Sequence, residues 1–202
     1  MNRNLNVALV LLVLVVGCSK QPASTSPRWT TLEFHRAEQS EANTSSLRIE
    51  ETVKQEGKET RVEEPSGNIT LIVDGMRYDF PRGGGGGTVR KLPVEHKAHY
   101  NFIAQLSAEV AEIEGKWKRE GEEILNGERC VRYSQTGRKN GETFEHHALL
   151  AAADGTPRRI ERRWVKALRY VHEYSEVKAN ASLPASTFVV PSGIKLFHVE
   201  LK

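Results

Sequence analysis

Cysteine is nearly absent from this sequence: Cys18 and Cys130 are the two among 202 residues. So small a count excludes a disulfide-stapled fold, and stability has to come from a hydrophobic core. About 175 residues remain once the N-terminal appendages are set aside, enough to build such a core. Long apolar runs are missing too, with the single exception of Val7–Val16. A membrane-spanning helix needs roughly 20 apolar residues, so this run reads as the centre of an export signal instead. Excess charge is also lacking: the net value of +3 defines no partner by itself. No serine lies in a Gly-x-Ser-x-Gly elbow or a Ser-x-x-Lys motif, which removes the visible support for nucleophilic catalysis. Five consecutive glycines, Gly83–Gly87, are followed by Thr88 and by no Lys-Ser or Lys-Thr pair, so a phosphate cradle is excluded. The run is expected to be a mobile loop, too rich in backbone entropy to order unaided.

What is present begins at the N-terminus. Arg3 gives the leading segment its positive charge, the apolar run follows, and Val15-Val16-Gly17-Cys18 closes it. This tetrapeptide resembles the lipobox of bacterial lipoproteins, in which the cysteine is acylated and becomes the mature N-terminus. The resemblance implies that residues 1–17 are a lipoprotein signal peptide and that Cys18 is the lipidation site. Two or three acyl chains make anchoring effectively permanent, because each buried methylene contributes about 0.8 kcal/mol. Loss of Arg3 with the signal lowers the formal charge from +3 to +2. Ser19–Pro27 is small, polar and proline-punctuated, so residues 18–27 read as the lipidated cysteine plus a flexible tether, and 28–202 as the folded domain. Ser19, in place of Asp, after the cysteine points to the periplasmic face of the outer membrane. An ordinary signal peptide with a chance cysteine is the competing reading. Cys130 is left as either a small core residue or a reactive thiol.

Composition, 38% hydrophobic and 27% charged, fits one domain. Period-two texture places strands over Trp29–Phe34, Ser46–Val53, Thr60–Glu64, Asn68–Val73 and Met76–Phe80. Asp74-Gly75 favours a two-residue turn with both central residues at positive φ. Val73 then faces Met76, Leu71 faces Tyr78 and Ile69 faces Phe80, six apolar groups on one face, with Thr70, Arg77 and Asp79 on the other and Ile72 the exception. His99–Glu114 carries a helical stripe of Ile103, Leu106, Val110 and Ile113, with Gly115 as its expected stop. Strands resume over Glu122–Leu125, Glu128–Gln135, Glu142–Ala152, Arg158–Val165, Leu168–Lys178 and Lys195–Leu201, with turns at Asn126-Gly127 and Asp154-Gly155. The expected fold class is α+β: a curved antiparallel sheet, an incomplete β-barrel of about nine to eleven strands, with one inserted covering helix.

Few constellations carry chemistry. His146 and His147 are strand neighbours and point to opposite faces, and His96-x-x-His99 has no Cys or carboxylate partner of familiar spacing, so no metal or other cofactor is expected. The run from Pro157 to Arg169 holds six basic residues and one acid. It is either a solvated strand face or a patch in which Arg158, Arg159, Arg162 and Arg163 touch lipid headgroups. Nucleic acid is no partner for an exported chain.

The segment Ile72-Val73-Asp74-Gly75-Met76-Arg77-Tyr78 resembles the central hairpin of the LolA-like lipoprotein-carrier superfamily. Pro157-Arg158-Arg159-Ile160, Tyr174–Asn180, and Leu183-Pro184 through Phe188-Val189-Val190-Pro191-Ser192-Gly193 resemble its closing strands and its Phe-x-x-Pro-x-Gly ending. The resemblance implies a half-barrel whose concave face, lidded by helices, holds acyl chains without catalysing a reaction. Ile69, Leu71, Val73, Met76, Tyr78 and Phe80 would line that face, covered by Leu106, Val110 and Ile113. Partners would be membrane lipid through Cys18, and acyl chains or other lipoproteins in the trough. The anchor resembles the acceptor partner or the envelope-stress sensors on the same fold. An interaction or sensor module with a filled core is therefore the alternative function. Replacement Cys18→Ser is expected to leave an unprocessed chain that takes up no palmitate label in growing cells; a labelled variant would refute the anchor.

Overall fold

The computed structural model describes residues 27–42, 45–164 and 168–200. Residues 1–26, with Cys18 and the tether, lie outside the described residues. Twelve strands form one open sheet. The first six are β1 (Thr31–Ala42), β2 (Ser45–Glu56), β3 (Glu59–Glu63), β4 (Asn68–Val73), β5 (Met76–Pro81) and β6 (Gly85–Lys91). A short helix α1 (Val94–Lys97), a single 3₁₀ turn and helix α2 (Phe102–Lys116) follow. Then come β7 (Lys118–Leu125), β8 (Glu128–Lys139), β9 (Glu142–Ala151), β10 (Pro157–Trp164), β11 (Leu168–Ala179), a 3₁₀ turn at Ala185–Phe188, and β12 (Ile194–His198). The order is β12-β6-β5-β4-β3-β2-β1-β11-β10-β9-β8-β7. Two meanders are thus joined where β1 meets β11, and the helices carry the chain from β6, one strand in from the β12 edge, to the opposite edge at β7. The expected curved, open α+β sheet is what the structure has.

The hairpin of β4 and β5 has the register its sequence demands. Val73 faces Met76, Leu71 faces Tyr78 and Ile69 faces Phe80 across a turn with Asp74 at φ 51° and Gly75 at 74°. Its apolar side does not meet the helix, however. Directly opposed residues of antiparallel strands share a face. Thr70 is opposite Val62, and Val62 is opposite Val53, which belongs to the core under α2. Leu71 is opposite Arg61 on the reverse side. Call the helix-covered side inner and the reverse outer. Ile69, Leu71 and Phe80 then pack on the outer side against Phe188, with Leu183, Val190 and Ile194 around them. The Arg61 guanidinium donates to the Thr187 carbonyl at 3.3 Å and ties this C-terminal cover down. Ile72, the exception to the hairpin's pattern, is buried because it faces inward. The expectation that Leu106, Val110 and Ile113 of α2 cover the apolar face of this hairpin is thereby corrected.

Helix α2 presents Phe102, Ile103, Leu106, Ser107, Val110 and Ile113 to the sheet. All but Ser107 join Leu32, Phe34, Val53, Val62, Leu150, Ile160 and Tyr174 in the main core. Full burial of each large aliphatic is worth about 1.5–3 kcal/mol. The helix start is fixed by the sheet. Asn101 caps the Ala104 N–H at 3.1 Å, and fully buried Gln55 accepts from the Ile103 N–H at 2.8 Å while donating to Asn101 at 3.1 Å. Two N–H groups that a helix start leaves unpaired are thereby satisfied. Gly115 lies inside the last turn instead of ending it, and Trp117 is the C-cap.

Two further expectations are corrected. Gly85–Lys91 is a strand, not a loop: it is ordered between β5 and the parallel partner β12. A Cβ on Gly87 would lie 2.8 Å from the Asp79 carbonyl oxygen and the Phe80 Cβ, so only glycine fits this close approach. This strand takes the count past the expected upper limit of eleven. The C-terminal strand pairs with β6; β11 has β1 and β10 on its two edges.

Candidate functional site

Helix α2 covers one end of the inner face, packing on residues of β1 to β3 and β8 to β11, and the other end of β1, β2 and β9 to β11 is lined by aromatics. Cross-strand rows define it. Leu47, Ser40, Tyr170, Arg162, His146 and Gln135 are successive partners, and Ile49, Glu38, His172, Ile160, Ala148 and Tyr133 form the next row. Above them Trp164 is opposite Phe144, and Phe144 is opposite Gly137. The Phe144 ring lies where a Gly137 Cβ would sit, 2.6 Å from its nearest atom, so a strand glycine gives the ring its seat. His146 stacks on Phe144 with centroids 4.7 Å apart and meets the Trp164 edge at 5.0 Å and Trp117 at 5.7 Å. Trp164 and Tyr170 stand perpendicular at 6.4 Å. Below, Tyr174 meets Phe34 at 5.6 Å, and Phe34 meets Phe102 at 6.1 Å.

A cleft of about 370 Å³ opens in this surface, lined by Glu38, Ile160, Arg162, Trp164, Tyr170 and His172. That volume is at the lower end of small-ligand sites, and the mix of aromatics with a few polar groups is their usual lining. Beside it Leu47 and Ile49 are 59% and 43% exposed. The charges facing it are half-buried. Arg36 pairs with Glu51 at 2.5 Å and stacks on the Phe102 ring at 5.5 Å. Arg162 pairs with Glu109 of α2 at 2.7 Å and lies over Trp117. His172 is 3.4 Å from Glu38. Burial holds the His146 and His172 rings below the ordinary histidine range and pushes the Tyr174 phenol up. Trp117 Nε1 and His146 Nδ1 are buried without a hydrogen-bond partner.

The residues singled out in the sequence fall in several places. Ile69, Leu71 and Phe80 are sealed under the C-terminal segment, Val73 and Tyr78 pack at its margin, and Met76 borders a separate cleft with Val94 and Val199. Leu106, Val110 and Ile113 are buried in the main core on the other side of the sheet. The four arginines are not brought together. Arg162 faces inward, whereas Arg159 is opposite outward Glu173 and pairs with it at 3.4 Å. Arg158 makes two bonds to Glu128, at 2.6 and 2.7 Å, and Arg163 is exposed. His146 and His147 point to opposite faces, as strand alternation requires, with His147 bonded to Glu145 at 3.0 Å. Cys130 is fully buried and burial raises its thiol, so it is a core residue. Among the described residues no three His, Cys, Asp or Glu side chains come together as metal ligands would. The aromatic face was missed at the sequence level although its pattern is visible: Tyr170, His172 and Tyr174, Phe144 and His146, and Arg162 and Trp164 recur at every second residue.

No family model matches the chain, and no curated protein matches it. Among solved structures it is similar to LprF from Mycobacterium bovis, at 13% identity and TM-score 0.49 over 77% of this chain and 89% of that one. A LolA superfamily protein from Nitrosomonas europaea follows at 12% identity and TM-score 0.42, over 80% and 91%. The lipoprotein LppX from Mycobacterium tuberculosis is similar at 11% identity and TM-score 0.36, over 77% and 90%. The family that the sequence motifs resemble is thus found among the similar structures. Likeness at this level says nothing of ligand, partner or activity.

The two depressed histidines give a pH dependence with a definite sign. In the unfolded chain each takes up a proton as pH falls below about 6.5, while the folded protein resists it, so stability is lost on going from neutral pH toward pH 5. Replacing His146 with Phe removes one of these protons and keeps the aromatic stack. The drop in denaturant midpoint between pH 7.5 and pH 5.5 is expected to be smaller in His146→Phe than in the parent. An equal drop would show that His146 is not held neutral by the fold.

Proposed function

We propose that this chain is a lipid-anchored, non-enzymatic binding module of the cell envelope, tethered through Cys18 at the periplasmic face of the outer membrane. Its ligand is an apolar chain, either lipid acyl or the acylated end of another lipoprotein. The ligand lies on the inner face beyond α2, not in the hairpin. The observation that carries this reading is the aromatic cleft of Trp164 and Tyr170 with exposed Leu47 and Ile49 at its rim. An apolar surface left open next to a cavity of ligand size gains from a hydrophobic guest. Ile69, Leu71, Val73, Met76, Tyr78 and Phe80, with Leu106, Val110 and Ile113, then act as scaffold that holds the cleft in place.

The second reading is an envelope sensor or protein-interaction module with a filled core. It is supported by the tight burial of Leu71, Val110 and Ile113 against the protein's own side chains. Titration of a fluorescent fatty acid into the purified protein separates the two. Saturable binding is expected, weakened at least tenfold by Trp164→Ala and unchanged by Met76→Ala on the far side of the sheet. Absence of binding, together with no lipid carried through purification, would favour the filled-core module.

A further inference from the structure

Among the described residues the charges around the aromatic cleft do not cancel, and the remainder has a sign. Arg36 is matched by Glu51 at 2.5 Å, and Arg162 by Glu109 at 2.7 Å. Glu38 is the carboxylate left over. Among the described residues the basic group paired with it is His172, at 3.4 Å, and the Tyr174 hydroxyl stands 3.5 Å from the other ring nitrogen of that histidine. Burial disfavours the charged form of His172, so it offers Glu38 little positive charge at neutral pH. The other basic residue nearby, Arg169, is turned to the outer side and is engaged by Glu161 at 2.7 Å and Glu41 at 3.4 Å. An anionic head placed in the cleft would meet Glu38, while Arg162, the guanidinium that lines the cleft, is already held by Glu109.

The walls favour the opposite charge. Trp164 and Tyr170 stand at 90° with centroids 6.4 Å apart, forming two sides of a corner. Ring faces attract a cation through the aromatic quadrupole, and a carboxylate beside such a corner is the combination that holds alkylammonium groups. The Glu38 side chain keeps about a quarter of its surface exposed, so it is reachable from the cleft. Leu47 and Ile49, in the rows that hold Tyr170 and Glu38, supply an apolar path leading away from the charge.

We propose that the cleft selects an amphiphile with an ammonium head, the head between Glu38, Trp164 and Tyr170 and the alkyl chain over Leu47 and Ile49. This rests on the reading of the inner face as a site for apolar chains and names the class of ligand it takes. Decyltrimethylammonium, decanol and decanoate share a chain length and differ in head charge. Each is titrated, below its micelle threshold, into the purified full chain, with Trp164 emission and calorimetry as readouts. The ammonium probe is expected to bind at least tenfold tighter than decanoate, with decanol between them. Glu38→Gln should bring the ammonium probe to the level of decanol and leave decanol unchanged. Equal binding of all three, or a preference that survives Glu38→Gln, overturns the ammonium assignment while leaving the apolar site intact. No binding of any probe overturns the site itself. Thermal unfolding of Glu38→Gln at the parent midpoint shows that a lost preference is not a lost fold.

Discussion

Among the described residues a single fifteen-residue helix, α2, has to cover the inner face of a twelve-stranded sheet, and the rest of the molecule follows from that mismatch. Fifteen residues of α2 extend about 22 Å, whereas twelve strands at about 4.8 Å spacing extend roughly 50 Å before curvature. Side chains alternate between the two faces of every strand, so both faces need cover. The chain supplies two covers of different origin. Helix α2 closes part of the inner face, and the C-terminal segment around Phe188 closes the outer face of the β4–β5 hairpin. What neither reaches is the other end of the inner face of β1, β2 and β9 to β11, around Glu38, Phe144, Trp164 and Tyr170, where aromatics and matched ion pairs stand in for a lid.

Polar groups decide how far α2 can lie over the sheet. Gln55 receives the Ile103 N–H and Thr60 donates to the Tyr100 carbonyl, so the start of the helix is tied to β2 and β3. At its other half Glu109 is held by Arg162, and Trp117 lies between that guanidinium and His146. Removing one partner of such a half-buried pair leaves the other uncompensated, which is costlier than the pair itself is favourable. These ties stop the helix short of the cleft.

Much of this was legible in the residues. Asp74-Gly75 fixed both the turn and the pairing of Ile69 with Phe80, and the stripe from Ile103 to Ile113 announced a helix that packs on a sheet. The turn at Asn126-Gly127 is likewise in place, with φ of 51° and 83°. The face of the hairpin was not legible, because alternation says which residues share a side and not which element covers it. Ile72 was the clue: a lone inward aliphatic among Thr70, Arg77 and Asp79 makes sense only if the second side is also covered. The glycine run misled because its order depends on β12, more than a hundred residues away. Half of β1, Arg36 to Ala42, escaped notice since its inward groups are Arg36 and Glu38, whose burial depends on Glu51 and His172 on neighbouring strands. The cleft escaped for the same reason.

On the proposed function, an apolar guest touches the inner face beyond α2 and nothing behind it. Trp164 stands at that face, whereas Trp29 and Trp117 are buried in the core. Quenching by a brominated fatty acid reports contact directly when measured on variants that keep either Trp164 alone or Trp29 and Trp117 alone, the others replaced by Phe. Saturable quenching of Trp164, and almost none of the core pair, is expected. Quenching of the core pair with Trp164 untouched would place the guest inside the packed core and contradict it.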